Sequence, residues 1–291
     1  LAQRDYIAPI SVEAAIGALA GADAEARVLG GGTDLLVQIR GGRVKPSLIV
    51  DLKAIPGAMG VRQGPDGGFV IGAATSGAVL GETAALVRAW PGVVEGANLI
   101  GSTQVQGRAS LGGNLCNASP AADSVPGLVA ARAVAVVVGP SGQREVPVEN
   151  IPAGPGRTSL GKGEFVMEIR LPPRPPKSGD AYLRFIPRTE MDIAVVGAAV
   201  NLILDASGVV TEAHVALGAV APTVLLVADA GQALVGSKVD DAALAKLDAA
   251  ARAACRPISD KRGTAEFRTQ IAGVLARRAA LIAYSRASER A

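Results

Sequence analysis

Two stretches of this 291-residue chain carry residue types suited to gripping an anion. The first is Val28-Leu29-Gly30-Gly31-Gly32-Thr33-Asp34-Leu35, three successive glycines between an apolar run and the start of a helical pattern. Glycine at such a junction lets main-chain N–H groups converge on an oxyanion with no Cβ in the way, and a following helix adds its positive end. A diphosphate fits that chemistry. The run is neither a G-x-G-x-x-G fingerprint nor a P-loop with its Gly-Lys-Ser/Thr ending, so taken alone it is equally a structural turn.

The second stretch runs from Ser110-Leu111-Gly112-Gly113-Asn114 through Cys116, Asn117, Ser119 and Pro120 to Asp123. It offers small residues with free N–H groups, then hydroxyl and amide side chains, then a carboxylate. Two glycine cradles with an aspartate acceptor suit a nucleotide, the diphosphate on backbone amides and a ribose or ribityl hydroxyl on the carboxylate. Asp123 also reads as the N-cap of a helix through Leu128.

The remaining chemistry is sparse. One histidine, His214, and two cysteines, Cys116 and Cys255, exclude a His-rich metal centre, a multi-thiolate cluster and a disulfide framework. Any redox chemistry here must be brought by a cofactor. Aromatic residues make up 3%, too few for a nucleic-acid stacking platform, and a net charge of +3 with scattered Lys and Arg gives no phosphate-backbone footprint. No nucleic-acid partner is expected. The longest stretch free of formally charged side chains, Ala213 to Ala228, contains His214 and Pro222 and falls short of the ~18 apolar residues a spanning helix needs. No membrane span is expected, and the segment around Arg4 and Asp5 has no apolar signal-peptide core.

The positioning elements follow from periodicity. Ser11 caps a short helix from Val12 to about Gly21, Arg27-Val28-Leu29 is a strand into the first glycine turn, and Thr33-Asp34 caps a helix to Arg40. Ser47–Asp51 and Gly68–Ile71 read as strands, and Gly81–Leu99 as helix broken at Trp90-Pro91-Gly92. The apolar, glycine-rich loop Gly101–Pro126 is expected to pack against the protein or a ligand. Ala133–Val138 and Glu164–Leu171 are strands, and Pro172 to Gly179 reads as a linker. Beyond it come strands Ala181–Ile186, Ile193–Leu204 and Val209–Val220, with a hairpin turn at Asp205–Gly208. The final helix presents Phe267, Ile271, Val274, Leu275, Leu281 and Ile282 on one face, interrupted by Arg278.

In this order and spacing the motifs resemble the FAD-binding medium subunit of the molybdenum hydroxylases, the xanthine dehydrogenase and carbon monoxide dehydrogenase family. The resemblance rests on Gly31-Gly32-Thr33-Asp34-Leu35, Ile71-Gly72-Ala73-Ala74-Thr75, and Ser110-Leu111-Gly112-Gly113-Asn114 with Ser119-Pro120 and Asp123. Arg188 with Asp192-Ile193-Ala194, and Arg262-Gly263 with Phe267-Arg268, extend it over nearly the whole chain.

The resemblance implies an α+β fold: an FAD-binding domain of the vanillyl-alcohol-oxidase type in two subdomains over residues 1–175, then a C-terminal domain of antiparallel strands and helices over 176–291. It places the FAD diphosphate against Val28, Leu29, Gly30, Gly31, Gly32, Thr33, Asp34, Leu35 and against Ser110, Leu111, Gly112, Gly113 and Asn114. Asp123 would hold ribityl or ribose hydroxyls, Ile100 and Val166 would flank the cofactor, and Arg184 stands where relatives commonly have lysine, which changes the contact geometry. From the residues alone, Ile100 and Val166 read first as simple core positions, and Arg188 and Asp192 as an internal ion pair.

The implied function is an oxidoreductase subunit with no catalytic side chain and no metal of its own. It would pass electrons from iron-sulfur clusters of a small chain, fed by a molybdopterin-containing large chain, through non-covalent FAD to an external acceptor. A cytoplasmic dimer of heterotrimers is the implied assembly. The alternative is a freestanding FAD oxidase of the vanillyl-alcohol-oxidase type. Those oxidases often tether FAD through a histidine near the first glycine turn, where this chain has Thr33. A third reading is a nucleotide-binding assembly module without redox turnover.

Overall fold

The structure is a computed structural model that describes residues 5–22 and 25–290. Its first subdomain is a small parallel sheet in which Leu48–Asp51 lies between Asp5–Ile7 and Ala26–Leu29. Ser11 starts the helix Val12–Gly21 by accepting the Ala14 N–H at 3.1 Å. That helix buries Ala15 and Leu19 in a cluster with Val50, Leu52 and Phe165.

The second subdomain is a five-stranded antiparallel sheet in the order Val61–Gln63, Phe69–Gly72, Phe165–Leu171, Val134–Gly139, Gly142–Pro147. The near-continuous apolar runs of the inner strands mark burial on both faces. Helices Gly77–Glu82, Ala84–Ala89 and Pro91–Asn98 pack with the sheet around Trp90, Leu80 and Leu128. The expected break at Trp90-Pro91 is present, and a second one falls at Thr83, whose hydroxyl donates back to the Val79 carbonyl at 2.7 Å.

The C-terminal part is a four-stranded antiparallel sheet, Ser178–Phe185, Val196–Leu204, Val210–Gly218 and Leu225–Leu226, covered by helices Asp241–Ala254 and Ala265–Glu289. The buried face of the last helix coincides only in part with the bulky one the sequence suggests: Leu275 is buried, and Ile271 and Ile282 pack partly against the core. Phe267 and Leu281 are exposed, while Ala272, Ala276, Ala279, Ala280, Ala283 and Ala287 are fully buried. The reason is distance: helix and sheet approach so closely that a Cβ on Gly179 would lie 2.0 Å from the Ala283 carbonyl oxygen. Only small side chains fit that seam, and Arg278 faces solvent.

The segment between Leu171 and Ser178 is not a free tether. Arg174 stacks 4.1 Å above the Trp90 ring and lies 3.2 Å from Asp180, and both charged side chains are buried. Tyr182, Ala199 and Ala216 of the C-terminal sheet join the core of the antiparallel subdomain. No helix among the described residues is long and apolar enough to cross a membrane.

Candidate functional site

The strand Ala26–Leu29 ends with Leu29 opposite Asp51, and the chain turns through Gly30 to Gly32 into the six-residue helix Leu35–Arg40. Gly32 has φ +82°, a left-handed conformation that glycine adopts without strain. Asp34 precedes the helix but makes no side-chain cap bond. With less than two turns, the helix adds little dipole, so anion recognition falls on the turn itself. Among the described residues no acceptor takes the N–H groups of Gly31, Gly32, Thr33 or Asp34.

This turn forms one wall of a cleft of about 480 Å³, within the range of small-molecule sites. Val28, Gly30, Gly31, Gly32, Thr33, Asp34 and Leu35 line that wall, and Ser110, Gly112, Gly113 and Asn114 face them. Ile100 and Val166 also line it. Val166 sits where the strand Phe165–Leu171 bulges between Val166 and Glu168, a local kink that aims main chain toward the cleft. Leu29 and Leu111 stand behind the lining, Leu111 in the hydrophobic core.

The two glycine segments touch. A Cβ on Gly31 would be 1.8 Å from the Arg108 carbonyl oxygen, so glycine there is a condition for bringing the walls together. The second segment differs from the free-N–H cradle its sequence suggests. Gly112 donates to the Ala73 carbonyl at 3.0 Å, Gly113 to Ser110 Oγ at 3.2 Å and Asn114 to the Ser110 carbonyl at 2.9 Å. Ser110 is thus the N-cap of helix Leu111–Cys116. What this wall offers is space: a Cβ on Gly113 would meet only Ser110 Oγ within 4 Å. The motif Ile71 to Thr75 is the support, since Ala73 accepts from Gly112 and Thr75 ties back to the Gly60 carbonyl at 3.0 Å.

Asp123 and Arg184 lie outside the cleft lining. They pair with each other at 2.6 Å, both buried, and Asp123 also accepts from the Tyr182 hydroxyl at 2.9 Å. Asp123 makes no cap bond to the helix Ser124–Ala130. Burial outweighs the adjacent guanidinium and pushes the Asp123 carboxyl up to about 6. Asn114 bridges this pair to the cleft, accepting from the Ser124 hydroxyl at 2.7 Å beside Asp123.

Several lining groups escaped the sequence reading. Gly156, Thr158, Leu160 and Gly161 close one side, from a segment whose glycine density was the available signal. Gln38 donates to Asn117 at 2.9 Å, joining the two walls. Cys116 sits in the wall with its thiol pushed up to about 12 by burial, which leaves it protonated and inert. His214 lies elsewhere, paired to Glu212 at 2.8 Å on the strand Val210–Gly218. Arg188 and Asp192 form an ion pair at 3.0 Å, and Arg262 lies 3.5 Å from the same carboxylate. Among the described residues no cluster of metal-ligating side chains occurs.

The residues of the cleft suit an FAD diphosphate: among the described residues the N–H groups of Gly31 to Asp34, which line it, have no acceptor, and Gly113 lines it without a Cβ. Comparison with known proteins gives the family. Residues 2–174 match the FAD binding domain in molybdopterin dehydrogenase, and residues 181–283 the CO dehydrogenase flavoprotein C-terminal domain. The carbon monoxide dehydrogenase medium chain of Afipia carboxidovorans is 36% identical over 285 residues, 97% of each chain. A xanthine dehydrogenase FAD-binding subunit of Escherichia coli O157:H7 is 30% identical over 248 residues, 85% of each. Among solved structures, a chain of reconstituted CO dehydrogenase from Oligotropha carboxidovorans superposes with a TM-score of 0.93 at 34% identity, covering 98% of both chains. The chain therefore belongs to the molybdopterin-dehydrogenase FAD-binding family, in the two-part arrangement of the CO dehydrogenase flavoproteins.

Proposed function

We propose that this protein is the flavin-carrying electron-transfer subunit of a molybdenum-containing hydroxylase or dehydrogenase. The observation that carries the reading is the row of unpaired N–H groups from Gly31 to Asp34 facing the open side of Gly113 across one cleft. FAD, when bound there, supplies the exchange of electrons between iron-sulfur clusters of a partner and an external acceptor. The chain's own residues bind and orient. The N–H groups of the first turn would take the diphosphate, Thr33, Ser110 and Asn114 would add side-chain donors, and Ile100 and Val166 would exclude water beside the cofactor. Asp123, paired with Arg184 and Tyr182, would hold a sugar or ribityl hydroxyl with its remaining acceptor capacity.

The FAD-binding part is residues 1–175 and the C-terminal part 176–291. Binding is non-covalent, because the single imidazole, His214, is outside the cleft lining and no histidine adjoins the first turn. The partners are a small iron-sulfur chain and a large molybdopterin chain, in a cytoplasmic dimer of heterotrimers. Relatives named as medium or FAD-binding subunits of multi-chain dehydrogenases favour this over a freestanding oxidase. Affinity purification of the native, untagged assembly tests it. Co-elution with two further chains, together with molybdenum and iron in the metal analysis, is expected; a lone flavin-bearing chain turning over substrate by itself would contradict it.

A further inference from the structure

Against the glycine turn, but outside the cleft lining, stands a charged group that the sequence gives no reason to single out. Lys53 Nζ donates to the Gly30 carbonyl oxygen at 3.0 Å and to both oxygens of Asp51, at 2.7 and 2.8 Å. Asp51 is buried and is itself fixed twice more: it accepts the Lys53 N–H at 3.0 Å, capping the single turn Leu52–Ala54, and the Tyr6 hydroxyl at 2.6 Å. The ammonium is therefore held at one point and aimed at one carbonyl.

That carbonyl belongs to the Gly30–Gly31 peptide, which is trans. In a trans peptide the C=O and N–H point in opposite directions. Lys53 on the oxygen thus keeps the Gly31 N–H turned into the cleft, where it has no acceptor among the described residues. Gly30 and Gly31 are the residues most free to rotate at this junction. The geometry points to Lys53 as a positioning residue for the anion cradle: a lysine–aspartate pair that locks the peptide plane of Gly30–Gly31, and polarises its N–H, for a diphosphate it never touches. A charge-assisted bond on the oxygen strengthens the donor at the other end of the same peptide.

This inference rests on the flavin reading of the cleft, and the test separates the two. On flavin-stripped native protein, with whatever chains co-purify, binding of FAD, ADP and riboflavin is measured for wild type, Lys53→Met and Lys53→Arg. Lys53→Met should bind the phosphate-bearing FAD and ADP about tenfold more weakly, the scale of one hydrogen bond to a charged group, with riboflavin affinity unchanged. Lys53→Arg should recover most of the loss. Because Lys53→Met leaves a buried carboxylate without its cation, the double variant Asp51→Asn/Lys53→Met removes the pair together and should show the same phosphate-selective loss. Equal weakening for all three ligands, or full FAD affinity in a folded variant, would overturn the role of Lys53. Wild type that binds none of the three would overturn the flavin reading itself and the inference with it.

Discussion

The Cα of Gly31 lies so close to Arg108 that a Cβ on it would stand 1.8 Å from the Arg108 carbonyl oxygen. The two glycine segments that make the cleft are therefore also the place where its walls lock together, and glycines there serve two separate ends. Gly31 permits the contact, and Gly113 leaves ligand space open.

Substitution should separate these ends. Gly31→Ala pushes a methyl into backbone that cannot yield, so it should lower the thermal midpoint of flavin-free protein sharply, at a cost of about 1–3 kcal/mol or more. Gly113→Val displaces one hydroxyl, the Ser110 cap, so flavin-free protein should lose about 0.5–2 kcal/mol, less than Gly31→Ala, while FAD content drops to near zero. Gly32→Val, at φ +82°, should lose both. Differential scanning calorimetry beside flavin assay reads all three; a stable, FAD-replete Gly113→Val protein would mean that the cofactor avoids this wall.

The Asp123–Arg184 pair should behave as a unit. Asp123→Ala leaves a buried guanidinium without its anion and the Tyr182 hydroxyl without its acceptor, and should cost about 3–5 kcal/mol in urea unfolding. Adding Arg184→Met should restore most of that loss. Additive effects of the two substitutions would show that the pair does not couple.

Asp180 gives a pH prediction. Burial beneath Arg174 and Trp90 pushes its carboxyl up to about 6 from the usual 3.8, and the same burial lowers Arg174 to about 10. Both shifts say that desolvation exceeds the attraction between the partners, with Arg286, Arg290 and Glu95 as the other charges facing Asp180. A carboxyl whose folded pKa lies above its unfolded one contributes stability that is present below about pH 4 and lost as pH rises through about 6. The stability of wild type minus that of Asp180→Asn should therefore fall between those values and level off above about pH 7. A difference that grows with pH in urea titrations would reverse the sign argued here.

The sheet–helix seam of the C-terminal part makes a fourth prediction. Gly179→Val on the strand should destabilise the protein more than Leu281→Ala on the helix, because the first drives a side chain into the Ala283 carbonyl while Leu281 is exposed. Denaturant midpoints would decide, and a larger loss for Leu281→Ala would mean that the bulky face carries the packing.

These residues also show what can be read before folding. Glycine runs and alternating apolar positions are local, so the turn at Gly30 and most strands are legible within a few residues. Pairings across long separations were not. Asp123 and Arg184 are 61 residues apart, and either suits a ligand as well as a partner. Lys53 looks like any lysine after a strand until Gly30 is found beside it. Of the buried face of Ala265–Glu289, Leu275 is legible but the alanines are not, because alanine carries little hydrophobic signal although close approach of a helix to a sheet demands it. The segment Gly112 to Asn114 reads as part of an irregular loop with free N–H groups, whereas it lies in the helix Leu111–Cys116, and the capping serine that consumes its N–H groups is visible only in three dimensions.

The most direct measurement is the visible spectrum of the native protein before and after acid precipitation. Flavin absorption bands in the intact protein, with FAD released into the supernatant in equimolar amount to this chain, are predicted. A colourless protein would contradict the assignment of the cleft, and colour retained in the precipitate would contradict non-covalent binding by the N–H groups of Gly31 to Asp34.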